Sequence, residues 1–70
     1  MTKQSLQKAI ESKYGAFINV SQVAEFLGNR RETVRNRYLK NLEFLSNGRE
    51  KLYFAQDVAQ AIIDSVEYEG

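Results

Sequence analysis

Gly28 constrains this chain more than any other residue. It lies in VSQVAEFLGNRRETVRNRY, four residues after Ala24 and six before Val34. A glycine there can take positive φ and reverse the chain sharply. Ala24 is small enough to let a second helix approach, while Val23, Leu27 and Val34 fill the wedge between the two. Two short helices crossing at a tight turn meet this spacing. Asn29 and Arg37 stand where such a pattern more often carries apolar residues, so Tyr38 is expected to anchor the second helix beside Arg37. Two core helices joined by a turn satisfy the same spacing. Charge must separate a functional pair from a structural one.

The flanking segments supply the rest of the fold. Residues 4–14 place Leu6, Ile10 and Tyr14 at four-residue spacing with Ala9 beside them, one face of an amphipathic helix. Thr2 or Ser5 is the expected cap, and Gly15 the stop. AFINV is apolar and β-favouring, a brief strand or an extended link. Ser21 is expected to cap a helix over 21–27, with Glu25 in or just past its first turn, where negative charge suits the helix dipole. A third helix is expected over 31–42, held down by a stripe of Val34, Tyr38 and Leu42. Asn47-Gly48 between two β-favouring runs predicts a hairpin over 43–54. A two-residue turn on Asn47-Gly48 sets Leu45 across from Glu50. A four-residue loop from Asn47 to Glu50 sets Leu45 across from Leu52, keeps the apolar residues on one face, and is the expected register. The last helix is expected over 55–66, with Val58, Ile62 and Val66 facing the core. The chain therefore reads as one domain, 1–70, mainly α with a small β-hairpin wing: a winged helix-turn-helix.

Composition narrows the function classes. Seventy residues is near the lower limit for a single hydrophobic core, and there is no Cys and no His. Disulfide staples and a zinc site of the usual N and S ligands are excluded. Acid–base and thiol chemistry lose their usual agents, so no enzyme activity, catalytic residue, metal or cofactor is expected. The four tyrosines read as core and interface residues. No apolar run approaches the ~20 residues of a spanning helix, so no membrane partner is expected. The opening MTKQSLQKAIE lacks the apolar stretch of a signal peptide. The chain is expected to stay in the cytoplasm, where it is made.

The net charge of +1 hides an asymmetry. Residues 30–51 hold seven basic residues (Arg30, Arg31, Arg35, Arg37, Lys40, Arg49, Lys51) against three acidic ones; residues 52–70 hold four acidic residues and no basic one. Clustered charge of one sign attracts a polyanion even when the total is near zero. In a helix-turn-helix the second helix enters the major groove. Its candidate contacts here are Arg30, Arg31, Glu32, Arg35 and Asn36. Arg31, Arg35 and Asn36 are the expected base readers, because Arg pairs bidentately with guanine and Asn with adenine. Arg37 and Lys40 are expected on phosphates. Glu32 can pair with Arg35 or Asn36, or accept from cytosine. Asn47, Gly48, Arg49 and Lys51 form a small basic wing tip suited to the neighbouring minor groove or backbone. A solvated helix face and an edge-protecting hairpin account for each patch taken singly. Two basic patches on adjacent elements favour nucleic acid. Duplex DNA is the expected ligand, since no aromatic platform of the single-stranded RNA readers sits among these residues. The acidic residues Asp64, Glu67 and Glu69 leave a protein-docking role as the other class.

INVSQVAEFLGNRRETVRNRYLKN followed by GREKLYFAQDVAQAI resembles the excisionase-type winged-helix family, related to the DNA-binding domains of MerR-type regulators. The likeness rests on the capped helix with Ala-Glu-x-Leu-Gly, the basic recognition helix, the wing, and Tyr53, Phe54, Asp57 and Val58 opening the closing helix. Many members carry Ser or Thr where this chain has Arg30. The resemblance implies a small protein of a phage or mobile element. It would bind and bend DNA near a recombination site and direct an integrase or recombinase towards excision, with further copies of itself on DNA; other members act as repressors.

Overall fold

The computed structural model describes residues 2–65, which are mainly helical with a small three-stranded antiparallel sheet. In chain order they form α1 (Lys3–Tyr14), β1 (Phe17–Ile18), α2 (Val20–Leu27), α3 (Arg31–Val34), β2 (Phe44–Asn47), β3 (Glu50–Phe54) and α4 (Ala55–Asp64); α3 continues without a break into a π-helical segment, Arg35–Leu39.

Reciprocal caps open the first two helices. The Thr2 hydroxyl accepts from the Ser5 amide at 3.1 Å while the Ser5 hydroxyl accepts from the Thr2 amide at 3.2 Å. The second cap is Asn19, not the expected Ser21. Asn19 Oδ1 accepts from the Gln22 amide at 2.8 Å, and Gln22 Oε1 accepts from the Asn19 amide at 3.0 Å. A cap at Ser21 would have Ala24 three residues on, with no side-chain group to reciprocate. Gly28 ends α2 in the left-handed region at φ +66°, and the Asn29 amide returns to the Ala24 carbonyl at 2.9 Å. Glu25 lies beyond the first turn of α2 and serves no dipole there. It accepts from the Tyr14 hydroxyl at 3.2 Å and pairs with Lys13 at 3.6 Å, tying α1 to α2.

The core gathers Leu6 and Ile10 of α1, Ile18, Val23 and Ala24, Val34, Tyr53, and Ala55, Val58, Ala59 and Ile62 of α4. Ala9, on the flank of the α1 stripe, stays exposed. The helix after the turn departs furthest from expectation: it stops at Leu39 rather than 42. Leu39 is 2% exposed, whereas Tyr38 and Leu42 are only partly buried. On a regular α-helix Leu39 would lie about 140° round from Val34. Widening the turn to i→i+5 bonding brings residues five apart into line. The core thereby receives an aliphatic side chain with no polar atom, and the Tyr38 phenol stays at the edge.

The sheet runs in the order β1-β3-β2, so the AFINV segment does contribute a strand. Phe17 pairs with Phe54 and Ile18 with Tyr53 on one side of β3; Phe44 pairs with Tyr53, Leu45 with Leu52, Ser46 with Lys51 and Asn47 with Glu50 on the other. The register is the expected one, Leu45 across from Leu52, but the loop is shorter. Asn47 and Glu50 are themselves paired, so the turn is Gly48-Arg49. Gly48 takes φ +63° at its first position, the placement a type II′ turn requires. Helix α4 ends at Asp64; the expected last turn with Val66, and Glu67 and Glu69 of the acidic tail, lie outside the described residues.

Candidate nucleic-acid interface

The basic residues do not form one surface. Arg35 leaves the start of the π-helical segment and lines a groove of about 310 Å³ with Asn19, Val20 and Ser21 of the α2 entrance and Arg49, Glu50 and Lys51 of the hairpin. Three cations thus converge from two elements that are fourteen residues or more apart in sequence. The one carboxylate among them, Glu50, accepts from Asn19 Nδ2 at 2.9 Å. Three cations thus outnumber the one carboxylate at the entrance of α2. The groove is accordingly electropositive, and the mutual repulsion of its cations is relieved by an anion.

Asn36, Arg37 and Lys40 line a different groove of about 330 Å³, shared with Asn41, Asp57, Gln60 and Asp64. Its cations face two carboxylates of α4. A phosphate there meets weaker attraction than beside Arg35. The Arg37 guanidinium also sits 5.6 Å from the centre of the Tyr38 ring. Arg31 is turned back onto α2, where its Nη1 donates to the Ser21 hydroxyl at 3.3 Å. Arg30 occupies the cap position of α3 without a side-chain cap bond, and Glu32 lies exposed in the first turn. Asn47 and Gly48 sit at the hairpin end, exposed, and Lys51 holds its ammonium 4.7 Å from the Phe44 ring centre.

Arg35, Arg49 and Lys51 are therefore brought together, while Asn36, Arg37 and Lys40 are grouped apart from them. Asn19 and Ser21 of the first groove, and Asp57 of the second, were not anticipated as parts of a site, and Asp64 was expected only in a protein-docking role. Gln22, three residues after Asn19, is the one sequence signal that could have placed the α2 entrance at Asn19.

The uncapped start of α3 allows a direct test. Arg30→Ser supplies a hydroxyl for the free amides and is expected to raise the unfolding free energy by about 1 kcal/mol. It also removes an exposed cation, so affinity for a polyanion is expected to fall while stability rises. Urea melts and a binding titration of the same sample read the two effects separately.

Among the described residues no helix is long and apolar enough to cross a membrane. Compared with protein-family models, with curated proteins and with solved structures, the chain shows no match, so its own residues carry the functional argument.

Proposed function

We propose that this chain is a sequence-specific double-stranded DNA-binding protein built as a winged helix-turn-helix. In this reading α2 and α3 form the helix-turn-helix and the β2–β3 hairpin is the wing. The observation that carries it is the convergence of Arg35, Arg49 and Lys51 on one groove at the entrance of α2. A DNA backbone running over that groove meets the helix and the wing at once. Arg30, Asn36 and Glu32 are left at the exposed helix surface to meet base edges. Arg31, held by Ser21, acts at the junction of the two helices. Arg37 and Lys40 contribute phosphate contacts weakened by Asp57 and Asp64.

The biological role that fits is an excisionase of a phage or mobile element, a non-enzymatic cytoplasmic protein that binds and bends DNA near an attachment site alongside an integrase. A transcriptional repressor on the same scaffold makes the same contacts. The likeness of the Gly28 segment and of the Tyr53–Val58 segment to the excisionase family supports the first. Direct repeats protected in a footprint beside an attachment site separate the two.

The binding itself is tested by gel shift on duplex DNA. Log affinity is expected to fall linearly with log salt, by about 0.9 for each phosphate neutralised. A folded sample that binds no duplex at low salt sinks the proposal.

A further inference from the structure

The β2–β3 hairpin is anchored at its base and poorly supported at its tip. Strand β1 pairs only with the base, Phe17 with Phe54 and Ile18 with Tyr53. Tyr53 is buried, but no residue from Leu45 to Leu52 is. Packing against the core therefore does little to hold Arg49 and Lys51 beside Arg35.

One side-chain bond does reach the tip. Asn19 Nδ2 donates to Glu50 Oε1 at 2.9 Å, across 31 positions of sequence. Among the described residues no other side-chain hydrogen bond or ion pair joins the hairpin to the helices. Asn19 is well suited to this bond. Its Oδ1 accepts from the Gln22 amide at 2.8 Å as the cap of α2, and a backbone amide only donates, so the side-chain nitrogen is the atom left for Glu50. The cap has already fixed the side chain, and the second bond has only Glu50 to order. Asn19 also directly follows Ile18, the last residue of β1. The base of the hairpin, the start of α2 and the tip thus meet at one residue.

Glu50 lines the groove with Arg35, Arg49 and Lys51, yet among the described residues it forms an ion pair with none of them. A carboxylate that neutralised this groove would lie against a cation. This one lies against an uncharged amide, and the three cations keep their charge for an anion.

We propose, on the basis of the duplex-binding reading, that Asn19 and Glu50 form a latch holding the wing tip beside α2 and α3, with Glu50 as a positioning residue. The latch sets the spacing of Arg49 and Lys51 from Arg35 before any ligand arrives. A duplex presents its phosphates at fixed spacing, so a preset wing binds it without first being ordered. A single strand can adapt its backbone to a loose wing. The latch therefore favours duplex over single strand. The carboxylate itself repels phosphate, so position and charge act in opposite directions at Glu50.

Two substitutions separate them. Glu50→Gln keeps an oxygen for Asn19 Nδ2 and removes the charge, whereas Glu50→Ala removes both. In the full isotope-labelled chain without DNA, amide order parameters at Gly48 and Arg49 are expected near about 0.85 for the unaltered protein and for Glu50→Gln, falling below about 0.6 for Glu50→Ala. On duplex DNA, Glu50→Gln is expected to bind roughly threefold tighter than the unaltered chain. Glu50→Ala is expected to bind roughly tenfold more weakly than Glu50→Gln. A single strand of the same sequence should bind the two variants alike. Asn19→Ser retains a capping hydroxyl and the Glu50 charge, and it should loosen the tip and lower duplex affinity as loss of the latch demands. It carries the comparison with the unaltered chain should Glu50→Ala unfold. Equal duplex affinity of the Gln and Ala variants, or a tip as ordered in Glu50→Ala and Asn19→Ser as in the unaltered chain, overturns the latch. Absence of duplex binding in every variant overturns the proposed function instead, and the order parameters still decide whether Asn19 and Glu50 hold the tip.

Discussion

Arg35→Ala and Arg49→Ala should each weaken duplex binding, and together they should weaken it by less than the product of the two effects. Each guanidinium that bonds a phosphate contributes about 1.5–3 kcal/mol, roughly 10- to 150-fold in affinity. The two line one groove with Lys51 and Ser21, so they serve the same stretch of backbone. Side chains that share a partner couple by about 0.5–3 kcal/mol in a double-mutant cycle, whereas separated ones add within about 0.5 kcal/mol. Lys40 provides the control. It lines the other groove, with Asp57 and Asp64, and has no lining residue in common with Arg49. Arg49→Ala and Lys40→Ala should therefore add. Salt titrations sharpen the comparison, because losing Arg35 should lower the salt slope by about 1 and losing Arg49 afterwards by less. Full additivity of Arg35 and Arg49 would mean that the wing and the helix grip different phosphates, and the one-groove account would fall. The charge reversal Arg35→Glu with Arg49→Glu leaves Lys51 as the only cation of the groove and is expected to remove measurable duplex binding.

This division of the basic residues was partly legible in the sequence. Gly28 announced the turn because a reversal between two helical runs has few other solutions. The pairing of Leu45 with Leu52 followed from keeping apolar side chains on one side of a period-two strand, although the loop length did not. A strand reads its partner through side-chain faces, while the turn is set by which residue takes positive φ, here Gly48 alone of the tip. Asn19 was missed because a serine beside an apolar run is a strong cap signal taken by itself. The reciprocal bond from Gln22 decides otherwise. The grouping of Arg35 with Arg49 and Lys51 is a tertiary fact, invisible to any local window. Charge density along the chain singled out the basic residues but not their grouping; it put Arg31 on bases as an expectation, while in the structure its Nη1 donates to the Ser21 hydroxyl.

The π-helical segment gives the largest expected effect on stability. Leu39→Ala should cost about 2–5 kcal/mol, the usual range for emptying a buried leucine site. Tyr38→Ala and Leu42→Ala should each cost clearly less, since both side chains are only partly buried. A regular helix over 31–42 demands the reverse order, with Tyr38 and Leu42 in the core and Leu39 turned away from Val34. The ranking of three alanine variants in urea melts thus reads the helix geometry directly, and a Tyr38→Ala variant less stable than Leu39→Ala would refute the widened turn. The stakes extend to the interface. Domains are commonly stable by only about 5–15 kcal/mol, and one this small sits towards the lower end, so losing Leu39 threatens the fold itself. Short of unfolding, it loosens the segment that carries Arg35 at its start and Arg37 two residues on. Filling the same site with Met, close in volume and unbranched, should restore most of the stability at a cost below about 1.5 kcal/mol. If Leu39→Met is stable and binds duplex DNA as the unaltered chain does, while Leu39→Ala loses affinity at temperatures where it is still folded, the buried leucine is what keeps Arg35 and Arg37 in their separate grooves.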